Sequence, residues 1–227
     1  MKTIVIIVAG GTGTRFGAST PKQFLELHGL PVLMHSILAV ARALDDCDHD
    51  IIITLPTSQQ DYWQQLCRKH AFAVQHRVVA GGETRWHSVK NALDSIDAPA
   101  TVDVIAVHDG VRPLATAGLI RRVIDTARRC GSAIPAVALN DSVRQVDGPL
   151  SRALDRSSLR AVQTPQAFVA SLLLEAYRQP YDKTFTDDAS VVEQMGHDVT
   201  LVEGDTANLK ITRPIDLALA ELLLNDA

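Results

Sequence analysis

Cysteine is scarce and unpatterned in this chain. Cys47, Cys67 and Cys130 stand far apart, with no C-x-x-C pair. They suit reduced thiols of a cytoplasmic protein and exclude a disulfide framework. No His/Cys group has the spacing of a zinc site. Long apolar runs are missing too, and none approaches the about 18 residues of a membrane span, so no membrane partner is expected. Met1-Lys2 leads straight into a strand-like stretch, so a signal peptide is not expected. There is no basic excess: the formal net charge is −4. Nucleic acid is therefore not expected as the main partner, because its phosphates need surplus cations to replace counterions. Cations that serve a smaller anion must be gathered locally. No G-x-S-x-G turn occurs, which leaves a covalent serine nucleophile unsupported. What the chain does have is bulk. Its 227 residues, 46% of them hydrophobic, suit one α/β domain with a sizeable core, or one with a small appendage.

The stretch from Val8 to Phe24, VAGGTGTRFGASTPKQF, is the most informative. The apolar run Thr3–Val8 before it is short, β-branched and bounded by glycines, so it reads as a buried strand. Gly10, Gly11 and Gly13 let the backbone turn tightly and approach a ligand without a Cβ in the way. Exposed N–H groups in such a turn form a nest for anions, and Arg15 and Lys22 add two cations. Neither common phosphate loop is present. A P-loop needs G-x-x-x-x-G-K-[ST], whereas Lys22 follows Pro21. A dinucleotide fingerprint needs G-x-G-x-x-G, and Gly17 sits one place late. The stretch reads as a longer loop that folds over a polyphosphate. A tight strand-to-helix turn without a ligand is the plain alternative.

Downstream, strands and helices alternate. Residues 32–44 read as a helix, Asp50–Leu55 as a strand, and Ser58–His70 as an amphipathic helix capped by Ser58. Ala73–Val79 reads as a third strand, followed by Gly81-Gly82 and a helix through Leu93. Val102–Val107 leads to His108-Asp109-Gly110-Val111-Arg112-Pro113, then to a helix over Thr116–Arg129 and a strand over Ala133–Leu139. This order implies a Rossmann-like three-layer sandwich, a mostly parallel sheet with helices on both faces. Ligands in such sheets bind beyond the carboxyl ends of the strands. The turns after Val8, Val79 and Val107 are thus expected to meet at one edge.

Residues 140–163 break the order, with β-like pieces around Asp147-Gly148-Pro149 and no helix. They read as a hairpin arm inserted into a single domain spanning 1–227. An antiparallel pair outside the sheet needs something to pack on. A partner subunit is the economical answer, and folding back over its own domain is the other. After Gln163-Thr164-Pro165-Gln166-Ala167-Phe168, a helix runs to about Tyr177. Thr186-Asp187-Asp188-Ala189-Ser190 opens another, with Thr186 or Asp187 as its cap. A strand lies near Val199–Val202, and Pro214 starts a closing helix to Leu224.

Arg15, Lys22, Arg112, Arg156 and Lys210 fall in turn-like stretches at or beyond strand ends. Singly, each suits a solvated surface. Together they suit the stabilisation of negative charge on a transferring phosphoryl group. Three tasks suit Asp109: binding a divalent metal, orienting a sugar hydroxyl, or capping the Arg112 turn. Mg²⁺ that bridges nucleotide phosphates takes only one or two protein carboxylates. His108 reads as structural.

Several motifs follow one another in the order of a known family. The opening V-A-G-G-T-G-T-R-F-G…P-K-Q-F resembles the nucleotidyltransferases that activate sugar phosphates. Five later motifs narrow the resemblance. They are Gly81-Gly82-x-x-Arg85-x-x-Ser88-Val89, His108-Asp109-x-x-Arg112-Pro113, Asp155-Arg156…Gln163-Thr164-Pro165-Gln166-x-Phe168, Thr186-Asp187-Asp188-Ala189-Ser190 and Asn208-Leu209-Lys210-Ile211-Thr212. Together they resemble the 2-C-methyl-D-erythritol 4-phosphate cytidylyltransferases of the non-mevalonate isoprenoid pathway, over nearly the whole chain.

The resemblance implies that CTP and methylerythritol phosphate combine with release of diphosphate. The substrate phosphate would attack the α-phosphorus in line. Catalytic roles would fall to Arg15, Lys22, Arg156 and Lys210. Ala9, Gly10, Gly11, Gly13, Gly82, Glu83, Ser88 and Asp109 would hold the nucleotide. Asp109, Arg112, Ser142, Thr164, Thr186 and Lys210 would surround the polyol phosphate. Arg156 would reach across a homodimer built on the arm and, with Lys210, position the attacking phosphate. Mg²⁺ is the implied cofactor, with its direct ligands left open. Ser142 stands where the family usually has Thr, and Phe16 where Met is common.

Two rival readings are weaker. The ribitol-5-phosphate cytidylyltransferases share the glycine loop and Gln-Thr-Pro-Gln but usually lack the pair seen at Asp155-Arg156. A non-catalytic nucleotide-binding sensor would not need Arg15, Lys22 and Lys210. A cyclase domain fused downstream is not expected, since the chain ends at Ala227.

Overall fold

The β-branched run near the N-terminus becomes the central strand, β1 (Lys2–Val8), with Thr3–Ile7 all buried. Burial on both faces is why the run is continuously apolar rather than alternating. The computed structural model describes residues 1–11 and 20–225. Gly13, Arg15 and Phe16 lie outside the described residues. A short pairing of β2 (Glu26–Leu27) with β3 (Leu30–Pro31) precedes α1 (Val32–Ala43). Then come β4 (His49–Leu55), α2 (Thr57–Lys69), β5 (Arg77–Ala80), α3 (Arg85–Asp94) and β6 (Val102–Asp109). β1 lies between β4 and β6, β5 pairs with β4, and all three pairings are parallel. α4 (Ala117–Cys130) returns the chain to β7 (Ser132–Ala138).

Beyond β7 the direction changes. β8 (Val143–Asp147) and β9 (Leu150–Leu154) form a separate two-stranded hairpin. It turns at Gly148, whose φ of +54° suits a residue without Cβ. β10 (Arg160–Val162) runs antiparallel to β7. β11 (Gln166–Val169) is antiparallel to both β6 and β7 and so lies between them. α5 (Ala170–Ala176), α6 (Asp188–Glu193), the parallel edge strand β12 (Leu201–Glu203) and α7 (Pro214–Asn225) complete the order.

Alternate strand residues feed two cores, one on each face of the sheet. Val5, Ile7, Ile51 and Ile53 pack with α1, α2 and α4, through side chains such as Ile37, Trp63 and Val123. Ile4, Ile6, Ile52 and Ile105 pack with α3, α5 and α6, through Val89, Leu173 and Val191. The result is the three-layer, mostly parallel sandwich.

Four local expectations are corrected. Arg160–Val162, expected within the arm, belong to the main sheet, because β7 offers them an open ladder edge. The hairpin itself spans 143–154. β11 was unforeseen, since four residues that run straight into a helix carry no periodic signal. β5 starts at Arg77 rather than at Ala73. Trp63 Nε1 donates to His76 Nε2 (3.1 Å) and His76 Nδ1 donates to Val74 O (2.7 Å), a local side-chain arrangement in place of strand pairing. α2 begins after Pro56 with no side-chain cap, so Ser58 is not its cap; the fixed φ of proline presets the first turn.

Candidate active site

The carboxyl ends of β1, β4, β5 and β6 lie side by side. A cleft of about 410 Å³ opens at this edge, an ordinary size for a small-molecule site. Val8, Ala9, Gly10, Gly11, Lys22, Gln23, Gly82, Glu83, Thr84, Arg85, Ser88, Asp109, Val111, Lys210 and Thr212 line it. A larger hollow of about 810 Å³ lies between α4, β7 and β12 and contains none of these residues.

The glycine turn forms the first wall. Ala9 N–H donates to Thr54 O (3.0 Å), which extends β1 by one residue. The buried Gln23 amide donates to Ala9 O (2.8 Å) and to Gln59 Oε1 (2.9 Å), clamping the turn to α2. Gly10 and Gly11 have no positive φ, and among the described residues a Cβ on either would meet nothing nearer than 3.7 Å. Glycine at these positions leaves room for a ligand to approach the backbone closely.

The second wall is the turn into α3. At Gly82 a Cβ would come within 2.4 Å of His87 Cβ and 2.8 Å of its carbonyl carbon, so only glycine fits. Ser88 Oγ accepts from Gly82 N (3.0 Å) and donates to Thr84 O (3.0 Å). The Ser88 hydroxyl thus shapes the turn that carries Gly82 and Glu83 in the cleft wall.

Asp109, the last residue of β6, is the charged centre. Its Oδ2 meets Lys210 Nζ at 2.9 Å and Arg112 Nε at 3.3 Å, and its Oδ1 lies 3.7 Å from Arg85 Nε. Burial would raise its pKa, but Arg85, Lys210 and Arg112 outweigh it and hold the carboxyl well below the usual range. Behind it, Thr164 Oγ1 accepts from Asp109 N (3.0 Å). Arg112 donates to Asn208 O (2.7 Å), and Asn208 donates to Thr164 O (2.9 Å). Thr164 and Arg112 are buried and reach the cleft only through Asp109.

His108 is fully buried. Its Nε2 faces Arg112 O (3.2 Å) and its Nδ1 faces the Thr164 hydroxyl (3.1 Å). A neutral ring donating from Nε2 and accepting at Nδ1 satisfies both contacts. Burial lowers its pKa to about 4, against the attraction of Asp109.

Lys22 Nζ donates to Ile211 O (3.1 Å), which brings the end of the glycine stretch against the Lys210 segment. Arg156, Ser142 and Thr186 are not among the residues that line the cleft of their own chain, although Thr186 adjoins the helix start that holds Arg85 through Asp188. Arg156 is exposed and donates to Asn140 O. Ser142 is exposed at the foot of the arm, and Thr186 is exposed just before α6. Sequence reasoning assigned no role to Arg85, Gln23 or Asn208, although all three fall inside motifs already singled out. Among the described residues, no group of three His, Cys, Asp or Glu is placed to hold a metal ion.

The profile of the 2-C-methyl-D-erythritol 4-phosphate cytidylyltransferase family matches residues 3–226. A protein of that name from Bacteroides thetaiotaomicron is 48% identical over 224 residues, covering 99% of this chain and 100% of its own. One from Porphyromonas gingivalis is 49% identical and covers 98% of each chain. The crystal structure of 4-diphosphocytidyl-2C-methyl-D-erythritol synthase from Anaerococcus prevotii matches with a TM-score of 0.81 at 28% identity, over 98% of this chain and 96% of that one. The 2-C-methyl-D-erythritol 4-phosphate cytidylyltransferase of Thermus thermophilus matches at 0.77 and 31% identity, over 99% and 100%. Sequence and fold agree over nearly the whole length, and the chain belongs to the 2-C-methyl-D-erythritol 4-phosphate cytidylyltransferase family.

Proposed function

We propose that the cleft beyond β1, β4, β5 and β6 is where this cytidylyltransferase works. It transfers a cytidylyl group from CTP to 2-C-methyl-D-erythritol 4-phosphate, giving 4-diphosphocytidyl-2-C-methyl-D-erythritol and diphosphate in the non-mevalonate pathway. The observation that carries this placement is the charge cluster on Asp109, set beside glycines that leave their backbone open. Among the described lining residues, Lys22, Arg85 and Lys210 outnumber Glu83 and Asp109, so the cleft holds a surplus of positive charge for anionic substrates.

The substrate phosphate is already an anion, and its attack on the α-phosphorus needs no strong base. His108, buried with both ring nitrogens engaged, is not available as one. Catalysis then rests on positioning and charge. Gly10 and Gly11 would offer backbone donors to the triphosphate, with Arg15 and Lys22 supplying charge. Glu83 and the backbone of Gly82 would meet the nucleotide. Lys210, 41% exposed and paired with Asp109, is placed to turn to the incoming phosphate.

Mg²⁺ is the proposed cofactor. Asp109 already meets three cations and Glu83 is exposed at the rim, so the residues fit an ion held chiefly by triphosphate oxygens. Bound beside Asp109 and Glu83, it would neutralise phosphate charge.

The proposed assembly is a homodimer. The arm carries Val146 and Leu150 exposed at 74% and 73%, and a two-stranded hairpin alone is marginal. In such a dimer, Arg156 and Ser142 of one subunit would complete the other's cleft. The single eight-stranded sheet supports reading 1–227 as one nucleotidyltransferase domain with this arm. Among the described residues, no helix is long and apolar enough to cross a membrane. Three free cysteines suit a cytoplasmic location.

Diphosphate release is the test, with CTP and either 2-C-methyl-D-erythritol 4-phosphate or D-ribitol 5-phosphate. Faster release with the first is expected. Faster release with the second would reassign the substrate. CTP binding with release from neither would leave a nucleotide sensor.

A further inference from the structure

Arg85 joins two carboxylates from distant parts of the chain. Its Nη2 donates to Asp188 Oδ2 at 2.5 Å, while its Nε stands 3.7 Å from Asp109 Oδ1. The first is a close charge-assisted hydrogen bond; the second is too long for one and acts through charge. Asp188 is fully buried and no part of the cleft wall, whereas the Arg85 side chain is 26% exposed and lines it. The guanidinium therefore reaches from a deep anchor to the cleft.

That anchor is held on every side. Tyr177 Oη donates to Asp188 Oδ1 (2.7 Å). Gln166 Oε1 accepts from the backbone N–H of Asp188 (3.0 Å) and of Ala189 (3.1 Å). Gln166 Nε2 donates to Asp187 Oδ2 (2.8 Å), and Asp187 forms a capping box with Ser190. Ser190 Oγ also accepts from Thr186 N (3.1 Å). The start of α6, with Thr186 beside it, is thus tied through Asp188 to Arg85. Arg85 in turn opens α3, directly after the turn that carries Gly82 and Glu83.

A buried ion pair is a poor route to net stability compared with apolar packing of the same shape. It is a good way to fix geometry, because guanidinium donors diverge in a rigid plane. Loss of Arg85 would still leave Asp109 facing Lys210 and Arg112, so its ionisation would persist while its placement changed.

We propose that Arg85 is a positioning residue: it holds Asp109 and the start of α6 in fixed relation, so that the polyol-phosphate half of the site is built on the nucleotide-side turn. This rests on the cleft being the site of cytidylyl transfer. Both halves then share one rigid joint, and Asp188 acts on the substrate without touching it.

The test is steady-state kinetics of Arg85→Gln, Arg85→Lys and Asp188→Asn in the full chain, with CTP binding followed by calorimetry. For Arg85→Gln and Asp188→Asn, KM for 2-C-methyl-D-erythritol 4-phosphate should rise at least about tenfold, while KM for CTP stays within about threefold. The double variant should be no worse than the weaker single one, because both substitutions break one joint. Arg85→Lys keeps the charge but not the fork, and should recover less than about half of the loss on a logarithmic scale.

Equal rises in both KM values, a loss confined to kcat, full rescue by lysine, or no change would each overturn the proposal. If Arg85→Gln does not fold, Asp188→Asn and Arg85→Lys decide. If the unaltered enzyme releases no diphosphate, the functional reading fails instead. Calorimetric affinity for the polyol phosphate then decides the role of Arg85.

Discussion

Lys22 lines the cleft and His108 is buried directly behind it, next to Asp109, and the two call for opposite experiments. His108 is a buried neutral group whose folded pKa is about 4, against an ordinary 6.5. Below pH 6.5 the unfolded chain takes up a proton that the folded chain refuses until about pH 4. Stability is therefore complete above 6.5 and falls as pH drops through that window. At about 1.4 kcal/mol per pH unit, the loss attributable to His108 is about 3 kcal/mol. His35, lowered mainly by burial, adds to it with the same sign. Denaturant unfolding between pH 7 and pH 4 should show a clearly flatter slope in His108→Gln, and an unaltered slope would contradict this account. Lys22→Ala should slow turnover about 100-fold, or about 3 kcal/mol in the transition state. A loss below about threefold would remove Lys22 from the mechanism. The structural character of His108 was legible from sequence, because a histidine ending a buried strand has few routes to solvent. The part played by Arg85 was not, because its partner Asp188 is 103 residues away.

The elements divide into those that make the core and those that decorate its edge. β1, β4 and β6 were legible because strands buried on both faces must be continuously apolar. β10 and β11 were not, because each is short and exists only by pairing with β7 and β6. The arm is the element with most at stake for assembly. Val146→Asp together with Leu150→Asp would place charge on its exposed apolar side chains. Light scattering should then report a monomer with an unchanged circular dichroism spectrum, since neither residue belongs to a core. Turnover should fall with dimer content. A native protein that is already monomeric, or a variant that stays dimeric and active, would sink the proposed interface.

At the scale of the whole molecule, the question is whether one chain contains a complete site. Arg156 and Lys210, both expected to meet the attacking phosphate, are not brought together within one chain. Mixed dimers test the alternative, with Arg156→Ala in one subunit and Lys210→Ala in the other. If Arg156 acts across the interface, one cleft keeps both residues and the other loses both. Activity near half that of the native dimer is expected. Activity near zero would place both residues in the cleft of one chain.

The amino-acid order by itself determined the class of fold and which turns meet at one edge of the sheet. Those follow from short-range rules: apolar period, glycine at strand ends, and basic residues within turns. Tertiary structure alone decided which carboxylate each cation serves. It also showed that Ser88 and Thr164 shape the site from behind, and that the arm ends before Arg160–Val162 rejoin the sheet. The physical reason is range. A salt bridge or an antiparallel ladder joins residues that are far apart along the chain, and nothing local in either partner names the other.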